Sequence, residues 1–237
     1  MIFRRPRRFL SFLICIALPT RALHGQTQAQ SSSSPSSSSS AAKHGKKPAA
    51  AIDSGLDAGT VSNGFYRNKA LALSCKIPPG WVLRTDEMNA HEEENDKPDP
   101  GQPPTTPASS TDARVLLAAF SRPPEARAED VNSSILIAAE RAAAYPGLKD
   151  AAQYFGPLTE VAKAQGLTMD EDPYAIAVGA TTLVRGDFHK DVGTRVMHQS
   201  TLALLSHGYA VSITLIAGTE DEVEQLIDGL TLNPNAK

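Results

Sequence analysis

The stretch Gly208–Leu230, GYAVSITLIAGTEDEVEQLIDGL, decides the fold. Val211, Ile213 and Leu215 alternate with Ser212, Thr214 and Ile216, the period of a strand with one face in a core. Thr219 followed by Glu222 reads as a capping box, and Glu220 and Asp221 make an acidic first turn suited to a helix N-terminus. Val223, Leu226, Ile227 and Leu230 then recur at helical spacing and form one apolar face. A strand that runs straight into such a helix has to bury both apolar faces against one sheet. This stretch specifies architecture and carries no chemistry.

Working outward, Arg195–Leu205 reads as a strand that reaches the first one through Ser206-His207-Gly208, a hairpin by its turn chemistry. Two further strands, Tyr174–Val178 and Thr181–Phe188, precede it. Leu148–Gln165 has helical periodicity, with Tyr154, Phe155, Leu158 and Val161 on one face and Gly166 as the stop. Pro157 inside it is expected to kink the helix or to open a fresh first turn. Ser133–Ala139 reads as a strand, and Ala113–Ser121 is apolar nearly throughout, as expected of a central strand. Leu71–Ile77 is a strand ended by the Pro78-Pro79-Gly80 turn, with Trp81 expected to pack on the sheet edge. The order is strands, helix, strands, helix, without internal repeat. That argues for an α+β fold, an antiparallel sheet flanked by two main helices, rather than a parallel α/β sheet.

The N-terminal residues point to export. Arg4, Arg5, Arg7 and Arg8 precede the apolar run Phe9–Leu18, which Pro19 breaks; a basic segment before about ten apolar residues is a secretory signal, too short to span a bilayer. Cleavage is expected after Ala22 or Ala29. Arg7-Arg8-Phe9-Leu10 has a faint twin-arginine character, and an uncleaved interfacial anchor is the alternative. Cys15 is not a lipidation site, because Ile14 stands where a small residue is needed. The reading divides the chain into a signal peptide over 1–25, a disordered Ser/Ala/Lys-rich tether over 26–60, a domain over 61–232 and a tail over 233–237. Within the domain, 89–112 reads as a flexible acidic and then Pro-rich insertion. No later segment is apolar enough to cross a membrane.

The whole chain has a formal charge of −3, and loss of the signal arginines 4, 5, 7, 8 and 21 leaves 18 basic against 26 acidic residues, or −8. An acidic exported domain with no basic stripe excludes nucleic acid as a partner. With Cys15 removed, Cys75 is the only cysteine, so no disulfide can close within the chain. Leu71, Leu73, Cys75 and Ile77 share one strand face, which makes Cys75 a small buried apolar residue rather than a reactive thiol.

The Tyr66-Arg67-Asn68 opener, the alternating strand after it, Pro78-Pro79-Gly80-Trp81, and the closing Gly208-Tyr209-Ala210-Val211-Ser212-Ile213 strand with its acidic-capped helix resemble the PsbP-like fold. That fold is shared by the extrinsic PsbP subunit of photosystem II, a yeast Ran-binding nucleotide-release factor and many exported bacterial proteins. The resemblance spans about Gly64–Leu232. It implies an antiparallel sheet with packed helices acting as a binding or assembly module, with no shared catalytic residues to carry over.

Candidate chemistry is sparse. Gly-x-Ser-x-Gly, phosphate-cradling, His-Glu-x-x-His and Cys-x-x-Cys motifs are missing. Ile52-Asp53-Ser54-Gly55 matches an aspartic-protease signature, but no strand precedes Asp53 and no second copy follows. His91, Glu92, Glu93, Glu94 and Asp96 lie in the acidic insertion, where nothing preorganises them for a cation. Asp187, His189 and Asp191 alternate, so a strand would point all three one way, a spacing able to seat a metal; the competing reading is a solvent-facing hairpin end. His198, mid-strand, and His207, in a turn, have no evident base or nucleophile beside them. The expectation is an exported, non-catalytic binding or assembly module of the cell envelope, needing no cofactor, whose partner is an envelope protein or a small ligand. The alternative is a hydrolase or metal-dependent enzyme using Asp53 or the Asp187/His189/Asp191 face.

Overall fold

The structure, a computed structural model, describes residues 56–95, 113–126, 128 and 130–232. The signal, Asp53, nearly all of the tether, the 233–237 tail and the Pro-rich part of the insertion lie outside the described residues. In chain order the elements are β1 (Thr60–Ser62), β2 (Phe65–Asn68), β3 (Leu73–Lys76), β4 (Val82–Leu83), α1 (Thr85–Asn95), β5 (Arg114–Phe120) and β6 (Ser134–Arg141). They continue with α2 (Ala151–Ala164), β7 (Thr168–Met169), β8 (Tyr174–Val178), β9 (Thr181–Val192), β10 (Arg195–Ser206), β11 (Tyr209–Ala217), α3 (Glu220–Asp228) and β12 (Leu230–Leu232).

An eight-stranded sheet runs β4-β5-β6-β11-β10-β9-β7, with β8 also pairing β9, and every pairing is antiparallel. A four-stranded antiparallel sheet runs β1-β2-β3-β12. The fold is thus α+β and mostly sheet. The β10–β11 hairpin closes through His207 (φ 52°) and Gly208 (φ 79°), the pair of left-handed residues that a two-residue hairpin turn requires. β11 is covered on both sides: Val211, Ile213, Leu215 and Ala217 are fully buried on one, while Ala210 and Ile216 are buried on the other.

These two faces define the layers. Odd-numbered β11 residues pack with Val223, Leu226 and Ile227 of α3 and with Leu73 and Cys75 of the small sheet. Ala210 and Ile216 pack instead with Tyr154 and Phe155 of α2. The Tyr-x-Asn opener fastens the small sheet's entry: Tyr66 Oη donates to the Ala58 carbonyl at 3.0 Å and Asn68 Nδ2 to the Asp57 carbonyl at 2.6 Å. Gly179 links the two sheets, since a Cβ there would sit 2.4 Å from the Leu232 carbonyl oxygen, to which Ala180 N–H donates.

Several expectations are corrected. Part of the insertion read as flexible from residue 89 is helical, because α1 extends to Asn95. This acidic helix has almost no apolar face; it holds because its side chains satisfy the open edge of β5. Asn89 pairs with both N–H and C=O of Val115 at 3.0 Å, Thr85 Oγ1 accepts from Ala118 N–H, and Met88 packs on Val115, Ala118 and Phe120. β5 is therefore not central but next to the sheet's end, its edge closed by β4 and α1. Leu230 does not extend α3: the helix stops at Gly229, and Leu230 opens β12, which pairs with β3. Pro157 leaves α2 one helix, because Tyr154 and Phe155 before it and Ala162 after it are all buried against the sheet. Trp81 is half-buried and packs on the main core, and Cys75 is fully buried, which pushes its thiol up to about 12.

Candidate functional site

β9 does not stop near residue 188 but runs to Val192, so Arg185, Asp187, His189 and Asp191 all lie on one face of a continuous strand. The register sets Ser200 opposite Asp187 and His198 opposite His189 on β10. The first turn of α3 stands over this end of the sheet, and the start of β8 and the link before it close the third side. Together they line an open pocket of about 270 Å³.

The pocket floor is a finished hydrogen-bond network. Arg185 Nε donates to Asp187 Oδ1 at 2.9 Å, Tyr174 Oη donates to Asp187 Oδ2 at 2.9 Å, and Ser200 Oγ donates to Asp187 Oδ1. Arg185 Nη2 also reaches Glu224 Oε1 on α3 at 2.5 Å, bridging sheet and helix. The Arg185 and Asp187 side chains are only 13% and 19% exposed, so these charges are held by one another rather than by water. Burial opposes the Arg185 charge, but the bonds to Glu224 and Asp187 outweigh it and hold the guanidinium above its ordinary range. Tyr174 is pushed up to about 12, by burial first and then by its bond to the Asp187 carboxylate.

The two histidines each meet a carboxylate from another element. His189 Nδ1 contacts Asp170 Oδ1, just after β7, and His198 Nδ1 lies 3.6 Å from Glu220 Oε1 on α3. The structure thus puts Asp187 in the pocket lining and does not converge it with His189 or Asp191: Asp187 turns to Arg185, Tyr174 and Ser200, and His189 to Asp170. Among the described residues no three His, Cys, Asp or Glu side chains are grouped to hold a metal ion. His198 does have an acidic neighbour, which sequence reading missed because Glu220 lies 22 residues away and its acid was already explained as helix capping. That capping is real: Thr219 Oγ1 accepts from Glu222 N–H at 3.2 Å, while Glu222 Oε2 accepts from Gly218 N–H, one residue before the expected position. His207 sits in its turn and bonds Ser206 Oγ at 2.8 Å.

Arg185, Tyr174, Ser200, Asp170, Glu220 and Glu224 were not legible as site residues. The one local signal was the Arg185-x-Asp187 spacing, which places both charges on the same strand face. Asp53 lies outside the described residues. Among the described residues no helix is long and apolar enough to cross a membrane.

No protein-family model matches the chain, and no curated protein does. Among solved structures it is similar to a Bacteroides thetaiotaomicron protein, with a TM-score of 0.34 and 10% identity over 70% of this chain and 46% of that one. It is also similar to LpqN, a Mycobacterium tuberculosis protein involved in cell envelope biogenesis, with a TM-score of 0.31 and 14% identity over 68% of this chain and 83% of LpqN. The chain spans less than half the length of the first of these.

Proposed function

We propose that the chain is an exported, non-catalytic binding module of the cell envelope, PsbP-like in fold, which holds its partner or ligand at the pocket between β9–β10, β8 and α3. The observation that carries this reading is the pocket floor. Asp187 accepts from three side chains supplied by β8, β9 and β10, so the cavity keeps its shape and polarity without an occupant, as binding sites do. The non-catalytic part is supported by how the reactive groups in the pocket are spent: Ser200 Oγ donates to Asp187, and His198 turns to Glu220, so among the residues lining the pocket no hydroxyl is set against an imidazole base. Export is supported by the Arg-rich segment and apolar run at residues 4–18 and by the Ser-rich stretch behind them.

Native mass spectrometry of the protein purified gently from its host, beside the denatured mass, tests both halves. A denatured mass lacking about the first 25 residues, with extra native mass that Arg185→Met abolishes, is the expected result. A full-length denatured mass together with recovery in the cytoplasm would overturn export. Extra mass that survives Arg185→Met, or none at all, would overturn the pocket as the binding site. The enzymatic alternative at Asp53 is tested by Asp53→Ala, below.

A further inference from the structure

The small sheet carries a charge opposite to that of the rest of the domain. Its inner side chains, among them Tyr66, Leu73, Cys75 and Leu230, close the main core. The side chains that alternate with them form two cross-strand rows on the outer face. Thr60, Arg67, Ser74 and Thr231 stand side by side in one row, and Ser62, Phe65 and Lys76 in the other. Neither row contains an acid, and Arg67 and Lys76 are exposed, as is Lys69 in the turn from β2 to β3. The Arg67 guanidinium lies 4.9 Å from the centre of the Phe65 ring and donates to Ser62 Oγ at 3.4 Å, which holds it on this face. Among the described residues Arg67, Lys69 and Lys76 form no ion pair, whereas Arg84, Lys163, Arg185 and Arg195 each meet a carboxylate. The sequence divides the same way: residues 26–78 hold six Lys or Arg and two acids, and residues 79–237 hold twelve and twenty-four.

We propose that this outer face docks on a membrane surface that carries anionic lipid headgroups. The inference is independent of the pocket, which is built on the eight-stranded sheet and α3. The acidic remainder of the domain is repelled by such a surface, so the protein approaches it with the small sheet foremost. Among the described residues the Lys69 and Lys76 ammonium groups have no hydrogen-bond partner, so the face offers charge without a fixed donor geometry. Mobile headgroups rearrange to meet such cations, whereas a folded acidic partner has to match a preset arrangement. Half-buried Phe65 and, at the sheet's edge, Val61 with 43% exposure add the aromatic and aliphatic groups that suit headgroup depth. The chain enters this sheet at its edge strand β1 from a stretch that bears Lys43, Lys46 and Lys47, so further cations precede the face in the sequence.

The protein purified from its host is sedimented with vesicles of phosphatidylcholine alone, and with vesicles in which about one-third is phosphatidylglycerol. The salt is held at about 0.1 M, where charges are screened beyond about 10 Å. Binding to the anionic vesicles only, released at about 1 M salt, is the expected result. Lys69→Gln combined with Lys76→Gln should weaken that binding at least about tenfold. Lys149→Gln combined with Lys163→Gln, two exposed lysines elsewhere in the domain, should change it less than about twofold. Both variants lose the same charge at exposed positions, so the thermal midpoint should hold in each and the comparison reads position rather than net charge. No binding to the anionic vesicles, equal binding to both kinds, or equal losses in the two variants would each overturn the inference. Capture by immobilised polyglutamate under conditions where the anionic vesicles fail to bind would overturn the lipid assignment and give the face to an acidic polypeptide.

Discussion

Two strands of the same sheet, β11 and β9, present alternate residues to the same side, yet one builds the core and the other a pocket. The rows of the register show the change residue by residue: Ala217 to His198 to His189, Leu215 to Ser200 to Asp187, and Ile213 to Leu202 to Arg185. Each row begins apolar at β11 and ends at a polar, ionisable side chain on β9. The helix above makes the same division, with Val223, Leu226 and Ile227 pressed on the β11 side and Glu220 and Glu224 turned to the β9 side. Strand pairing is equally regular in both regions. What differs is whether α3 excludes water from a position or leaves it at the edge of the helix's footprint.

The largest test of this comparison is Leu215→Ala. Leu215 is fully buried, and its truncation leaves a cavity, with an expected cost of about 2–5 kcal/mol by urea unfolding. If Leu215→Ala costs less than any pocket substitution, the division into core and site is wrong. Next comes Arg185→Met, which leaves Asp187 and Glu224 short of their shared donor; about 1–3 kcal/mol is expected by the same measurement, with a thermal transition that stays cooperative. Loss of cooperativity would mean that Arg185 belongs to the core after all.

Alkaline titration sharpens the contrast further. Tyr66 in the core and Tyr174 in the pocket are both pushed up to about 12, Tyr66 chiefly by burial and Tyr174 by burial and the Asp187 bond. A folded-state value above the unfolded value of about 10 means that the native state keeps its proton longer. The stabilisation is therefore fully present below pH 10 and is lost as pH rises from about 10 toward 12. Asp187→Asn should lower the Tyr174 midpoint in an ultraviolet titration and leave Tyr66 unmoved; a shift of both would show that the pocket and core are coupled. The smallest effect is expected from Asp53→Ala. Hydrolysis of a casein substrate by the full chain should be absent with and without the substitution, and any activity that the change removes would revive the protease alternative.

Reading the sequence succeeded where one periodicity and one turn decide the outcome. The β10–β11 hairpin, α2, α3 and the burial of Cys75 follow from alternation, helical spacing and the His207-Gly208 turn, all of them local signals. It failed where stability comes from a distant partner. α1 has almost no amphipathic face to detect, and only its contacts with β5, through Val115, Ala118 and Phe120 some 26 to 33 residues away, explain it. β12 reads as the end of a helix until β3, more than 150 residues earlier, offers it a ladder. The Asp187/His189/Asp191 pattern put one residue, Asp187, at the site but suggested a convergence that the neighbouring strands do not make.

The sequence by itself therefore determined the α+β class, the strand–helix order, the acidic charge and the export-like N-terminus, because each depends on composition or on residues within a few positions of one another. Only the tertiary structure decided which polar residues share a site. A carboxylate's role depends on the donors within about 3 Å of it, and those around Asp187 come from β8, β9 and β10, with Arg185 passing the network on to α3.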